Sequence, residues 1–139
     1  MNKDVGREVD VEALLVEART AAEASYSPYS KFAVGAAVLC GDGSIVRGAN
    51  IENASYGLTI CAERSALFGA YSLGKRGMRA IAVTCPGADP ALGVRGVMPC
   101  GACRQVIAEL MDADGVILVD GVGSFGVEDL LPLGFALGA

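Results

Sequence analysis

Two short stretches of this sequence hold side chains that could do chemistry together. One is Cys61-Ala62-Glu63 and the other is Pro99-Cys100-Gly101-Ala102-Cys103-Arg104-Gln105. They offer three thiolates and one carboxylate. Three protein ligands with an open fourth position make a catalytic zinc site rather than a structural one, and Cys61, Cys100 and Cys103 are the candidate ligands. Glu63 lies two residues from a ligand and need not bind the metal. It is free to take a proton from a metal-activated water and pass it to a leaving group.

Three thiolates exceed the charge of one Zn²⁺, and electron-rich sulfur weakens the metal as a Lewis acid. Arg64 and Arg104 directly follow motif residues and are candidates to offset that charge by hydrogen bonds to sulfur. Two other uses of the cysteines fit the sequence less well. A redox dithiol at Cys100-x-x-Cys103 has no need of Cys61 or Glu63. A structural zinc lacks a fourth ligand, because Cys40 and Cys85 fall in expected strands and the chain has no histidine.

The elements that must position these residues follow from periodicity. Val11, Leu14, Leu15, Ala18, Ala21 and Ala22 share one face of a helix over 10–24, with Asp10 as its N-cap. Pro28 ends that region. Phe32–Leu39 and Ser44–Ala49 read as a hairpin about Gly41-Asp42-Gly43. A polar loop over 50–59 precedes a helix over 61–73. Ala80–Cys85 reads as a strand buried on both faces, and 86–98 as a long loop. A helix over 101–111, a strand over 115–119, an antiparallel return over 124–127 and one helical turn over 128–131 complete the order.

Strand–helix–strand units should cross right-handed onto parallel neighbours. The expected fold is α/β, a three-layer α/β/α sandwich around a mixed sheet of about five strands, with 1–139 as a single catalytic domain. Both cysteine stretches then open helices that follow strands. They should converge at one sheet edge, where α/β sites form. Helix N-termini carry partial positive charge and favour thiolates.

Bulk properties narrow the partners. The chain has 139 residues, 11 basic and 16 acidic side chains and a net charge of −5. That balance opposes a phosphate backbone, so no nucleic-acid partner is expected and a small substrate fits better. No apolar run approaches the roughly 20 residues of a membrane span. Met1–Glu12 carries charges of both signs and does not read as a secretory signal, so a cytoplasmic location is expected. Five cysteines there read as reduced. A mean hydropathy of +0.46 suggests apolar surface hidden in subunit contacts.

The chain resembles the small, homotetrameric cytidine deaminases that act on free nucleosides. The resemblance runs from about Tyr26 to Phe135. It rests on Tyr29-Ser30-Lys31-Phe32-Ala33-Val34-Gly35-Ala36-Ala37, Asn50-Ile51-Glu52-Asn53, Cys61-Ala62-Glu63-Arg64, Pro99–Gln105, and Leu130-Leu131-Pro132 through Phe135. The zinc blocks mark the deaminase superfamily. The Asn50-x-Glu52 block marks the nucleoside branch. Ala49 stands where many relatives have cysteine.

The resemblance implies one Zn²⁺ per subunit on Cys61, Cys100 and Cys103, with Glu63 as proton shuttle. Cytidine and 2′-deoxycytidine would lose the 4-amino group as ammonia, giving uridine and 2′-deoxyuridine for pyrimidine salvage. Asn50 and Glu52 would hydrogen-bond the ribose, Phe32 would stack near the base, and the Ala62 backbone would bind it. Tyr56 and Phe135 would serve a neighbouring subunit's site in a homotetramer. A blasticidin-type deaminase would share the zinc blocks, but the intact Asn50–Asn53 loop favours an ordinary pyrimidine nucleoside. A polynucleotide deaminase would need a basic groove, and a zinc-stabilised binding module would show no turnover.

Overall fold

The structure, a computed structural model, describes residues 2–6 and 9–138. Helix α1 (Val11–Ala22) opens with Asp10, whose side chain accepts from the Ala13 N–H at 3.1 Å. Strands β1 (Gly35–Leu39) and β2 (Ile45–Ala49) form the expected hairpin. Its turn places Gly43 at φ 87°, a conformation glycine adopts without strain. Helix α2 (Ala62–Ser72) and strand β3 (Met78–Thr84) follow. Helix α3 (Gly101–Leu110), strands β4 (Met111–Val119) and β5 (Gly123–Gly126), and the single turn α4 (Val127–Leu130) complete the chain. The long connection between β3 and α3 carries 3₁₀ turns over Pro90–Gly96.

The five strands lie in the order β2-β1-β3-β4-β5. Only β3 and β4 are parallel neighbours. The expectation that both crossovers join parallel neighbours holds for β3–α3–β4 alone. β2 and β3 both run antiparallel to β1, which lies between them, so α2 carries the chain across β1. The C-terminal ends of β2, β3 and β4 therefore share one sheet edge.

Strand alternation sorts the core into two layers. Ala36, Val38, Ile81, Val83, Ile117 and Val119 face α2, α3 and α4. Ala37, Ala80, Ala82, Val116 and Leu118 face α1, where they meet Leu14 and Ala18. The result is the expected α/β/α sandwich. Two glycines let the helices sit close. A Cβ on Gly35 would lie 2.1 Å from the Ala18 carbonyl oxygen, and one on Gly48 would lie 2.3 Å from the Ala66 nitrogen.

Strand β1 starts three residues later than its apolar run suggests. Asn50 explains the difference. Its Oδ1 accepts from the Val34 N–H at 2.9 Å, and its Nδ2 donates to the Phe32 carbonyl at 2.7 Å. A side-chain amide thus takes the place of a strand partner over 32–34. Strand β4 starts four residues earlier than expected. Met111 leaves α3 in an extended conformation and pairs with Met78, with an irregularity before Ala80.

Candidate active site

Cys61 is the N-cap of α2 and Cys100 the N-cap of α3. Each has an extended backbone and sits at a helix start, where the first N–H groups have no partner within the helix. Cys103 lies one turn into α3 and is fully buried. Its N–H donates to the Cys100 Sγ at 3.5 Å. The sulfurs of Cys61, Cys100 and Cys103 lie within 4.8 Å of one another, and they form the metal-competent cluster among the described residues.

The donor set fits zinc. The Cys61 and Cys100 sulfurs are 3.7 Å apart. Two sulfurs at about 2.3 Å from one tetrahedral zinc would lie about 3.8 Å apart. Hydrogen bonding from Cys103 pulls the Cys61 thiol down to about 5, with Arg64 adding to the effect. Cys103 shifts the other way, because its proton is shared with Cys61 and its sulfur is buried. A soft cation bound to the three sulfurs would displace the protons they carry.

Arg64 Nη2 donates to the Cys61 Sγ at 3.3 Å. Its Nε is buried with no hydrogen-bond partner among the described residues. Arg104 does not serve the sulfurs, contrary to expectation. Its Nε donates to the Pro99 carbonyl at 2.8 Å and its Nη1 to the Leu130 carbonyl at 2.9 Å. The side chain leaves α3 towards α4, so it fixes the Pro99 turn and the end of α4 instead.

Glu63 is 5% exposed, on the first turn of α2. Burial pushes its carboxyl up to about 7, and the negative Cys61 sulfur acts in the same direction. It lines a cleft of about 210 Å³ together with Phe32, Asn50, Cys61, Ala62, Cys85, Met98 and Cys100. The cleft opens at the sheet edge shared by the C-terminal ends of β2 and β3. A buried carboxylate beside three sulfurs, facing a cleft of this size, would be placed to relay protons if the sulfurs held a metal that activates water.

Glu52 lines an adjoining pocket with Tyr29, Ser30, Asn53 and Tyr56, and Thr59 lines both. Glu52 Oε1 accepts from the Tyr29 and Ser30 N–H groups at 3.0 and 3.1 Å. The Ser30 hydroxyl donates to Oε2. That hydroxyl, helped by the two N–H groups, holds the Glu52 carboxyl below its usual range. Asn50 is buried, and its Oδ1 also accepts from Ser25 at 2.5 Å.

Tyr56 and Phe135 do not line the cleft. They are 78% and 70% exposed. Tyr56 stands edge-on to Tyr29 with ring centroids 6.5 Å apart. The Phe135 carbonyl accepts from Gln105 of α3 at 3.1 Å, which ties the exposed C-terminal segment to the helix that Cys100 caps and Cys103 belongs to.

Cys40 is a core residue as expected. Cys85 is not inside a strand. It follows β3 directly and lines the cleft, with its thiol donating to the Val97 carbonyl at 3.9 Å. Burial, and next the charge of Glu63, push that thiol up to about 12. The sequence held a signal for this placement. Counting by twos from Ile81 and Val83 reaches Cys85 on the face that carries α2 and α3.

The family model for the cytidine and deoxycytidylate deaminase zinc-binding region matches residues 9–119. A cytidine deaminase of Halalkalibacterium halodurans is 53% identical over 131 residues, covering 91% of this chain and 95% of its own length. One from Mycobacterium tuberculosis is 43% identical over 131 residues, covering 94% and 92%. Among solved structures, a cytidine deaminase from Burkholderia pseudomallei superposes with a TM-score of 0.79 at 41% identity, over 91% of this chain and all of that one. The cytidine deaminase of Mycobacterium tuberculosis gives 0.80 at 41% identity, over 93% and 99%. With three sulfurs spaced for zinc beside a buried glutamate, the chain belongs to the cytidine and deoxycytidylate deaminase family of zinc-binding enzymes.

Proposed function

We propose that this single domain hydrolyses cytidine and 2′-deoxycytidine to uridine and 2′-deoxyuridine with release of ammonia, as a cytoplasmic homotetramer in pyrimidine salvage. The observation that carries the reading is the meeting of three sulfurs and the buried Glu63 on one cleft. Cys61, Cys100 and Cys103 hold one zinc, which supplies a Lewis acid that makes water nucleophilic near neutral pH.

Glu63 takes the proton from the attacking water and delivers it to the departing amine. Its raised pKa suits it to both transfers. Arg64 withdraws charge from the Cys61 sulfur. Phe32 provides an apolar wall for the pyrimidine ring, and the Ala62 backbone contacts the base edge. The base occupies the cleft and the sugar extends past Thr59 towards Glu52.

Asn50 Nδ2 has a second N–H beyond the one given to Phe32. Glu52 has acceptor capacity left for one hydroxyl. Such a pair suits a neutral diol and serves ribose and 2′-deoxyribose alike. The ionised Glu52 repels a 5′-phosphate, so nucleotides should be poor substrates. A net charge of −5 argues against polynucleotides for the same reason.

The exposed Tyr56 and Phe135 complete a neighbouring subunit's site in this reading. Exposed Leu58, Leu73, Leu133 and Leu137 supply apolar surface for such contacts. No helix among the described residues is long and apolar enough to cross a membrane. The test is to mix zinc-loaded protein with cytidine and follow loss of the cytosine absorption band. Steady loss with matching ammonia supports the reading, and no loss removes it. Sedimentation of the active species tests the assembly, and a fully active monomer contradicts shared sites.

A further inference from the structure

The cleft lies on one face of the sheet, and a polar cluster on the opposite face is tied to its floor. Arg19, on α1, donates from Nε and Nη2 to Asp120 Oδ2 and Oδ1 at 2.9 and 2.8 Å. This two-pronged contact fixes the plane of the carboxylate. Asp120 Oδ2 also accepts from the Thr84 hydroxyl at 2.8 Å. The Asp120 N–H donates to the Val83 carbonyl at 3.0 Å, so the residue just past β4 is locked to the end of β3.

Thr84 is 4% exposed and is the last residue of β3. Alternation along β3 turns Ala80, Ala82 and Thr84 towards α1, and Ile81, Val83 and then Cys85 towards the cleft. Fixing the Thr84 side chain therefore fixes the pleat from which Cys85 departs. The Arg19 and Asp120 side chains are 44% and 21% exposed, and an ion pair at that depth adds little to stability. Its geometric effect is larger, because three donor atoms from two elements converge on one carboxylate beneath the cleft.

We propose that Arg19, Asp120 and Thr84 are positioning residues, which through one carboxylate set the cleft floor at Cys85 and so the seating of the base against Glu63. The proposal rests on the deaminase reading for its kinetic consequence. Its structural part, the placement of Cys85, stands apart from turnover.

The test is a double-mutant cycle on the zinc-loaded full chain, with Arg19→Gln, Thr84→Val, the pair together, and Thr84→Ser as the conservative variant. Each single change should lower kcat for cytidine about 3- to 10-fold while KM stays within about twofold. The pair should lose no more than the worse single change, because both act through Asp120. Thr84→Ser should bring kcat back to within about twofold of the parent. Parental kcat in the folded, zinc-loaded single variants, or losses that multiply, would overturn the proposal. Arg19→Gln lies on an exposed helix face and carries the test if Thr84→Val does not fold.

A second readout is the rate at which the Cys85 thiol reacts with a small neutral disulfide reagent, with Cys85→Ser as the blank. The rate should change by about threefold or more in Arg19→Gln and in Thr84→Val. An unchanged rate overturns the positioning role. A parent protein that leaves cytidine untouched removes the deaminase reading instead, and the thiol rates still decide the positioning role.

Discussion

The Cys61 and Cys100 sulfurs lie 3.7 Å apart, and each belongs to the residue that caps its own helix. A metal bound there joins α2 to α3 at their N-terminal ends. At the far end the Tyr71 hydroxyl of α2 donates to the Leu110 carbonyl, the last residue of α3, at 2.8 Å. The two helices are thus clamped at both ends, and the cleft lies at the metal end.

Zinc should therefore act on stability as well as chemistry. At free zinc about a thousandfold above Kd, folding should gain about 4 kcal/mol over the metal-free protein. Thermal or urea unfolding across a zinc titration checks this. A midpoint indifferent to zinc would show that the sulfurs do not form the binding site.

Gly48→Ala should separate α2 from the sheet. The added Cβ would meet the Ala66 nitrogen at 2.3 Å and the Ala62 carbonyl oxygen at 2.6 Å, both backbone atoms of the helix that carries Glu63. Destabilisation of about 1–3 kcal/mol is expected, with weaker zinc retention. Denaturant unfolding and metal content measure both. A variant as stable as the parent would mean that α2 is free to shift.

Glu52→Gln keeps an acceptor for the Tyr29 and Ser30 N–H groups but removes the charge. KM for cytidine should rise about 10- to 100-fold, the worth of a charged hydrogen bond. Activity on free cytosine should change little. Equal losses on cytidine and cytosine would remove Glu52 from the sugar site.

Asp120 gives a pH signature. Arg19, and less strongly Thr84, hold its folded pKa below the ordinary 3.8. A carboxyl depressed in the folded state stabilises above its unfolded pKa, and that contribution is lost as pH falls through the folded value. The stability gap between the parent and Asp120→Asn should therefore be constant above about pH 5 and shrink below pH 4. Urea unfolding at several pH values reads it. A gap that widens on acidification would contradict the ion pair.

Much of this architecture is legible in the residues. The helical periodicity of α1, the turn at Asp42-Gly43 and the two cysteine stretches place the layers and the metal centre. The differences have physical causes that pattern alone does not display. Asn50 imitates a strand partner, so an apolar run from Phe32 becomes strand only at Gly35. Arg104 reaches the Leu130 carbonyl, 26 residues away in sequence, and adjacency to a ligand could not reveal that. Cys85 was within reach of strand alternation, but its significance depends on knowing that α2 and α3 share that face.

Glu63 and the three sulfurs must act together for the cleft to deaminate cytidine. The direct measurement is turnover of cytidine by the parent and by Glu63→Gln at equal zinc content. The parent should release ammonia and uridine in equal amounts. Glu63→Gln should keep one zinc per chain and lose activity by on the order of 10²- to 10⁴-fold. A zinc-loaded Glu63→Gln protein with parental turnover would contradict the account.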